Sequence, residues 1–136
     1  MTLTHLLDTG WIIRHLRASR DFTAAISRIG AGRLAVSIVA LAELAEGIYR
    51  ASDPAAARSA VEAFLSDKAV LRLTPQICDL FGSLRAELRG QNLLIGDIDL
   101  FIASTSLESL LTLLTTNRKH FERITGLRIV SDPAEV

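Results

Sequence analysis

The alternation of short apolar runs with longer segments of helical periodicity constrains the fold of this chain more than any other feature. The two patterns succeed one another throughout the sequence. Such alternation is typical of a parallel β-sheet covered by helices on both faces, with right-handed crossovers. We therefore predict a three-layer α/β fold with a parallel sheet of four to five strands. The predicted strands are residues 3–7, 34–36, 70–73, 110–114 and 128–130.

Capping residues mark where several helices begin. Asp53-Pro54 and Thr74-Pro75 each place a capping side chain before a proline, and proline is well tolerated in the first turn of a helix. Apolar residues at intervals of three and four define the other helices. The predicted helices are residues 11–16, 22–29, 37–51, 54–65, 75–90 and 96–107, with a helical turn at 120–124.

Length and composition indicate one globular domain over residues 1–136. A chain of 136 residues, 49% hydrophobic and 22% charged, can bury a sizeable core and lacks the signature of disorder. Its apolar runs are shorter than the roughly 20 residues of a membrane-spanning helix. Its first residues also lack the basic and apolar regions of a signal peptide. We expect a cytoplasmic protein with no membrane contact.

Cysteine content and charge exclude whole classes of site. Cys78 is the only cysteine, so neither an internal disulfide nor a cysteine-based zinc site is possible, and we expect its thiol in the core. The 15 basic residues are matched by 15 acidic residues, unlike the strongly basic balance of a DNA-coating protein. Binding of nucleic acid therefore requires that the two kinds of charge occupy different regions of the surface.

Three acidic residues stand next to predicted strands at positions that can converge. Asp8 comes directly after the first strand, Glu43 lies in the helix after the second, and Asp99 is near the start of the helix before the fourth. Asn117 and Thr115 follow the fourth strand. Because ligands of parallel sheets bind beyond the carboxyl ends of the strands, we expect these side chains to form one pocket.

A cluster of carboxylates indicates metal-assisted chemistry. Like charges raise one another's pKa, so the pocket is costly unless a divalent cation neutralises it. Oxygen ligands suit Mg²⁺, with Mn²⁺ as a substitute, and either ion promotes hydrolysis of a phosphodiester. Each acid also has an ordinary structural interpretation, as a helix cap (Asp8), a solvated residue (Glu43) or a first-turn acid (Asp99). The apolar neighbours of Glu43 favour the site.

Four segments resemble the signature motifs of the VapC-like PIN family, in the family's order and across nearly the whole chain. They are residues 6–10 (LLDTG), 37–47 (SIVALAELAEG), 95–103 (IGDIDLFIA) and 114–121 (LTTNRKHF). The resemblance implies a PIN fold and a metal-dependent endoribonuclease that cleaves a structured RNA such as tRNA or ribosomal RNA. It also implies the toxin of a toxin-antitoxin pair. Such a toxin is neutralised by a VapB-like antitoxin and forms a homodimer, or a heterotetramer or larger assembly with the antitoxin.

The resemblance also assigns roles to individual positions. Asp8, Glu43 and Asp99 match the family's catalytic, metal-binding acids, and Thr9 and Thr115 match its polar helpers. These five residues are the expected site.

Two further residues are candidates for completing the metal site. Asn117 stands where many family members have a fourth acid, which leaves open whether one or two ions bind. Asp97 lies two residues before Asp99 and offers another carboxylate, although side chains two apart in a helix point in different directions.

Basic and aromatic residues near the expected pocket each have two interpretations. Four cations either steer RNA phosphates toward the metal or belong to solvated helix faces. They are Arg14, Arg17, Arg118 and Lys119. Trp11 and Phe22 belong either to the core, which we favour, or to a groove for an antitoxin helix. We interpret His120 as a solvated histidine, and Gly47 as a residue that permits close helix packing.

Other functions are compatible with much of the same pattern. One is a non-catalytic binding module that keeps the PIN fold, and another is a DNA-directed nuclease with the same acidic site. A phosphoacceptor receiver domain fits poorly, because Asp8 has no adjacent acid and no aspartate ends the third predicted strand.

Overall fold

The computed structural model describes residues 2–136, and in that part of the chain short strands and helices alternate as predicted. The elements are β1 (His5–Leu7), α1 (Thr9–Leu16), α2 (Arg20–Ile29), β2 (Leu34–Ser37), α3 (Ile38–Arg50), α4 (Pro54–Leu65), β3 (Ala69–Leu71), α5 (Pro75–Gly90), α6 (Asp97–Glu108), β4 (Thr112–Leu114), α7 (Arg118–Phe121) and β5 (Ile129–Val130). Short 3₁₀ turns occupy Ala31–Arg33 and Pro133–Glu135.

The strands form one parallel sheet in the order β3-β2-β1-β4-β5, which confirms the predicted α/β class. Strand β1 lies at the centre, and Leu7 at its end is level with Val36 of β2 and Leu114 of β4. The carboxyl ends of the three central strands therefore meet at one edge. The chain leaves β1 at that edge through Asp8, whose backbone N–H donates to the carbonyl of Leu114 at 2.9 Å.

Alternation along the strands divides the core between the two faces of the sheet. Leu7 and Val36 pack with helices α1 to α4, whereas Leu6 and Leu113 pack on the opposite face with α5, α6 and α7. All four side chains are fully buried. Helices on both faces of a parallel sheet give the predicted three layers.

The aromatic residues of the first two helices belong to the core. Trp11 is fully buried and packs edge-to-face against Phe22, with ring centroids 5.0 Å apart and planes at 84°. The side chains of these two residues are therefore not available for docking a partner helix. No helix within residues 2–136 combines the length and apolar character needed to cross a membrane.

Three expectations about local structure were wrong. Cys78 is exposed rather than buried, because α5 turns the neighbouring Ile77 toward the core. Strand β4 begins at Thr112 and not at Leu110, which is 79% exposed and has a left-handed backbone conformation (φ 57°). Gly47 does not permit close packing, since no atom lies within 4 Å of where its Cβ would be.

The contrast between Leu113 and Leu110 provides a test of the fold. We expect Leu113→Ala to lower the free energy of unfolding by about 3 kcal/mol, because it removes buried contacts at the centre of the sheet. The matched change Leu110→Ala should alter it by less than about 0.5 kcal/mol. Urea unfolding of the two variants measures both values, and equal losses would contradict this placement of β4.

Candidate active site

Asp8 caps helix α1 with its carboxylate at the carboxyl edge of the sheet. Its Oδ1 accepts a hydrogen bond from the backbone N–H of Thr9 at 2.8 Å, and its Oδ2 accepts one from the Thr115 hydroxyl at 2.6 Å. Both partners are buried, and Asp8 itself is only 6% exposed. These two hydrogen bonds hold the carboxylate in one orientation, and the backbone bond from Asp8 N–H to the carbonyl of Leu114 fixes the main chain that carries it.

Glu43 reaches the same edge from helix α3. This helix begins directly after β2, where the Ser37 hydroxyl accepts from the backbone N–H of Val39 and caps its first turn. Glu43 Oε1 accepts a hydrogen bond from the Thr9 hydroxyl at 2.6 Å. Thr9 thus contacts two acids, one with its backbone and one with its side chain.

Asp99 is joined to the other side of Asp8 through the segment after β4. The Thr115 hydroxyl, which donates to Asp8, also accepts from the backbone N–H of Asn117 at 3.0 Å. Asn117 Nδ2 lies 2.8 Å from His120 Nδ1, and that ring nitrogen lies 3.2 Å from Asp99 Oδ2.

The five expected site residues therefore belong to one hydrogen-bonded chain of groups. It runs in the order Glu43, Thr9, Asp8, Thr115, Asn117, His120 and Asp99. The convergence predicted from strand ends is present in the structure. His120 is 45% exposed, as expected of a solvated histidine, but its ring also belongs to this chain of groups, which the sequence did not predict. The signal that could have found it is its position three residues after Asn117, which places both side chains on one side of a helical turn.

Burial and the repulsion between carboxylates disfavour the ionised form of Asp8. Burial raises the pKa of Asp8 from its ordinary value of 3.8 to about 6, against the opposing effect of the hydrogen bonds from Thr115 and Thr9. The negative charges of Asp99 and Glu43 make smaller contributions to the same rise. Within residues 2–136, neither Asp8 nor Glu43 forms an ion pair with a basic side chain.

The donor set has the chemistry of a site for a hard divalent cation. Carboxylate, hydroxyl and amide oxygens are what Mg²⁺ and Mn²⁺ prefer. Within residues 2–136 no group of three acidic, histidine or cysteine side chains already surrounds a point as ligands. The acids therefore fit such an ion by the type of their oxygen atoms and by their mutual repulsion.

Asp97 does not join this group. Its Oδ1 accepts from Arg85 Nε at 3.0 Å, and its side chain is 62% exposed, in contrast to 23% for Asp99. The different directions of side chains two apart on α6 explain the separation. The additional ligand role considered for Asp97 therefore has no support in this arrangement.

The four candidate RNA-binding cations are all exposed, in different settings. The guanidinium of Arg14 lies 5.4 Å from the centre of the Phe22 ring, and Arg17 lines a groove beside Glu43. Arg118 donates to the Ser131 hydroxyl and to a backbone carbonyl of β5, at 3.0 and 3.2 Å. Lys119 is exposed next to it. Arg118 is thus partly committed to the fold.

Comparison with known proteins agrees with the fold. Residues 5–127 match the model of the PIN domain family. Ribonuclease VapC2 of Haemophilus influenzae is 34% identical over 128 residues, which cover 93% of this chain and 96% of that protein. The tRNA(fMet)-specific endonuclease VapC of Salmonella typhimurium is 30% identical, with coverage of 93% and 96%.

A solved structure shows the same architecture. The crystal structure of DNA-bound VapBC from Salmonella typhimurium contains a chain that superposes with a TM-score of 0.88. The two are 29% identical over 94% of this chain and 97% of that one. The chain therefore belongs to the PIN-domain family and, within it, to the VapC ribonucleases.

The raised pKa of Asp8 predicts that this carboxylate destabilises the metal-free protein at neutral pH. Between pH 4 and 6 the folded state keeps a proton that the unfolded state releases, so stability falls as the pH rises through that window. Above pH 6 the cost is about 3 kcal/mol. Asp8→Asn should recover most of it, because the amide oxygen can still accept from the Thr9 N–H and the amide nitrogen can donate to the Thr115 hydroxyl oxygen.

Unfolding in EDTA at two pH values tests this prediction. The gain from Asp8→Asn should be largest at pH 7.5 and fall to about a third at pH 4.5. The matched change Asp79→Asn, at an exposed aspartate on α5, should produce no gain at either pH. A loss of stability in Asp8→Asn at pH 7.5 would contradict the prediction.

Proposed function

We propose that this protein is a Mg²⁺-dependent endoribonuclease and the toxin of a VapBC-type toxin-antitoxin module. The observation that carries the proposal is the hydrogen-bonded chain that joins Asp8, Glu43 and Asp99 at the carboxyl edge of the sheet. Support also comes from relatives that are named as ribonucleases and span nearly the whole chain.

The catalytic, metal-binding acids in this proposal are Asp8, Glu43 and Asp99, with Asn117 as an additional oxygen ligand. When bound, Mg²⁺ or Mn²⁺ polarises a phosphodiester and lowers the pKa of the attacking water. Thr9 and Thr115 direct the carboxylates, since each hydroxyl donates to one acid. Side chains that are oriented in advance need not be reoriented when substrate binds.

The substrate in this proposal is a structured RNA, either tRNA or ribosomal RNA. The Salmonella relative is named for cleavage of a tRNA, which favours that class. Arg14, Arg17 and Lys119 are exposed on elements that flank the acidic edge, with Arg118 beside them. Cations at these places attract the phosphate backbone toward an edge that would otherwise repel it. We place this activity in the cytoplasm, where such RNA is found.

The partner in this proposal is a VapB-like antitoxin, and the solved relatives include VapBC complexes. An apolar groove between α1, α3 and α4 offers a place for an amphipathic antitoxin segment. Its lining includes Ile13, Leu16, Leu44, Ile48 and Val61. Glu43 and Arg17 also line it, so a segment in the groove reaches the acidic site. We further propose a homodimer, and a heterotetramer or larger assembly with the antitoxin.

Cleavage of RNA is the first test of the function. Purified protein with Mg²⁺ or Mn²⁺ should cut total cellular RNA into discrete fragments, and EDTA should abolish cutting. Asp8→Asn and Asp99→Asn should reduce cutting to background, whereas Asp79→Asn should cut like the wild type. Cleavage of single-stranded DNA in place of RNA would identify a DNA-directed nuclease. Metal binding without any cleavage would identify a binding module.

Gly47 allows a test of the antitoxin groove. This residue lines the groove, and a Cβ added there would meet no atom within 4 Å outside its own helix backbone, so a larger side chain would project into the groove. We expect Gly47→Trp to weaken binding of the module's antitoxin at least about tenfold, which corresponds to 1.4 kcal/mol. Gly47→Ala should bind normally and stabilise the helix by about 0.5–1 kcal/mol. Calorimetric titration measures both affinities. Wild-type affinity in Gly47→Trp would place the antitoxin elsewhere.

A further inference from the structure

His120 is the one histidine in residues 2–136 that contacts the candidate active site. It lies on α7, where the neighbouring Phe121 is fully buried in the core and Arg118 is hydrogen-bonded to β5. These contacts set the position of the short helix. The ring itself is 45% exposed, so it contributes little to the core.

A single ring atom faces two groups that are expected to meet the metal. Nδ1 of His120 lies 3.2 Å from Asp99 Oδ2 and 2.8 Å from the side-chain amide of Asn117. An ionised carboxylate can only accept a hydrogen bond, whereas an amide can turn to present either its oxygen or its nitrogen. With a proton on Nδ1, the ring can donate one hydrogen bond shared between Asp99 Oδ2 and the amide oxygen of Asn117, whose second lone pair stays available to an ion. The imidazole thus links the orientations of both side chains.

The rest of the site shows why such a link matters. Thr115 and Thr9 hold Asp8 and Glu43, but neither threonine hydrogen-bonds to the side chain of Asp99. Within residues 2–136, the side chain of Asp99 makes one hydrogen bond, which joins its Oδ2 to Nδ1 of His120. Without it, the carboxylate in the first turn of α6 is free to change rotamer.

We propose that His120 is a positioning residue, whose Nδ1 holds Asp99 and Asn117 in the orientation in which they receive the divalent cation. This inference rests on the proposed function and deepens it. Groups that hydrogen-bond to metal ligands typically contribute about 10- to 100-fold to metal affinity or activity. Asp99 Oδ1, which makes no hydrogen bond to residues 2–136, stays available for the ion.

Three substitutions at this position separate the role of Nδ1 from the mere presence of a side chain. Asn places a polar atom close to the position of Nδ1, Gln places one closer to that of Nε2, and Phe keeps a ring without any polar atom. We expect His120→Phe and His120→Gln to weaken Mn²⁺ binding about 10- to 100-fold, and His120→Asn to restore most of the affinity. The control His15→Phe removes a half-buried histidine that hydrogen-bonds to Thr23 outside the site, and should bind Mn²⁺ normally.

Calorimetric titration of metal-free protein with Mn²⁺ measures the affinities, and thermal unfolding in EDTA checks the fold. Weaker binding in the Phe and Gln variants, with an unchanged melting temperature and restoration by Asn, supports the proposal. A lower melting temperature without restoration by Asn would show a structural role and overturn it. Wild-type Mn²⁺ affinity in His120→Phe would overturn it too, while leaving the ribonuclease function intact. Absence of Mn²⁺ binding in the wild type would overturn both.

Discussion

The site depends on the parallel pairing of the central strand with both of its neighbours. Because β1 lies between β2 and β4 in level register, their carboxyl ends meet at one edge. The first residue beyond β1 is Asp8, whose backbone is bonded to β4 and whose side chain is bonded to Thr115 just after it. A slip of one residue would turn Leu6 and Leu7 to the opposite faces and would also move the carboxylate away from its partners.

The acidic edge opposes the stability that the two apolar cores supply. Burial and like charges raise the pKa of Asp8, and within residues 2–136 no basic side chain pairs with it. The fold tolerates this cost because two hydroxyls and a backbone N–H direct the carboxylates. A site that is unfavourable without a cation and ordered before it arrives is suited to binding one. The repulsion that destabilises the metal-free site therefore favours the binding of a cation.

Much of the fold could be predicted from local patterns, and the exceptions have physical causes. Proline after Asp53 and Thr74 marked helix starts correctly, since capping depends on residues close together in the chain. The predicted start of β4, at Leu110, is two residues too early. An apolar residue gives the same sequence pattern whether it lies in a strand or in an exposed turn. The prediction that Cys78 lies in the core is wrong for a similar reason. The residue type alone does not show which side of α5 faces inward.

The sequence by itself determined the class of fold, the set of candidate acids and the resemblance to the PIN family, because these follow from periodicity, spacing and motifs within short segments. Tertiary structure decided which polar residues act together. It paired Asp97 with Arg85 and brought His120 to Asp99. Those contacts join residues 12 and 21 positions apart. They depend on how α5, α6 and α7 pack around the sheet, which no local pattern records.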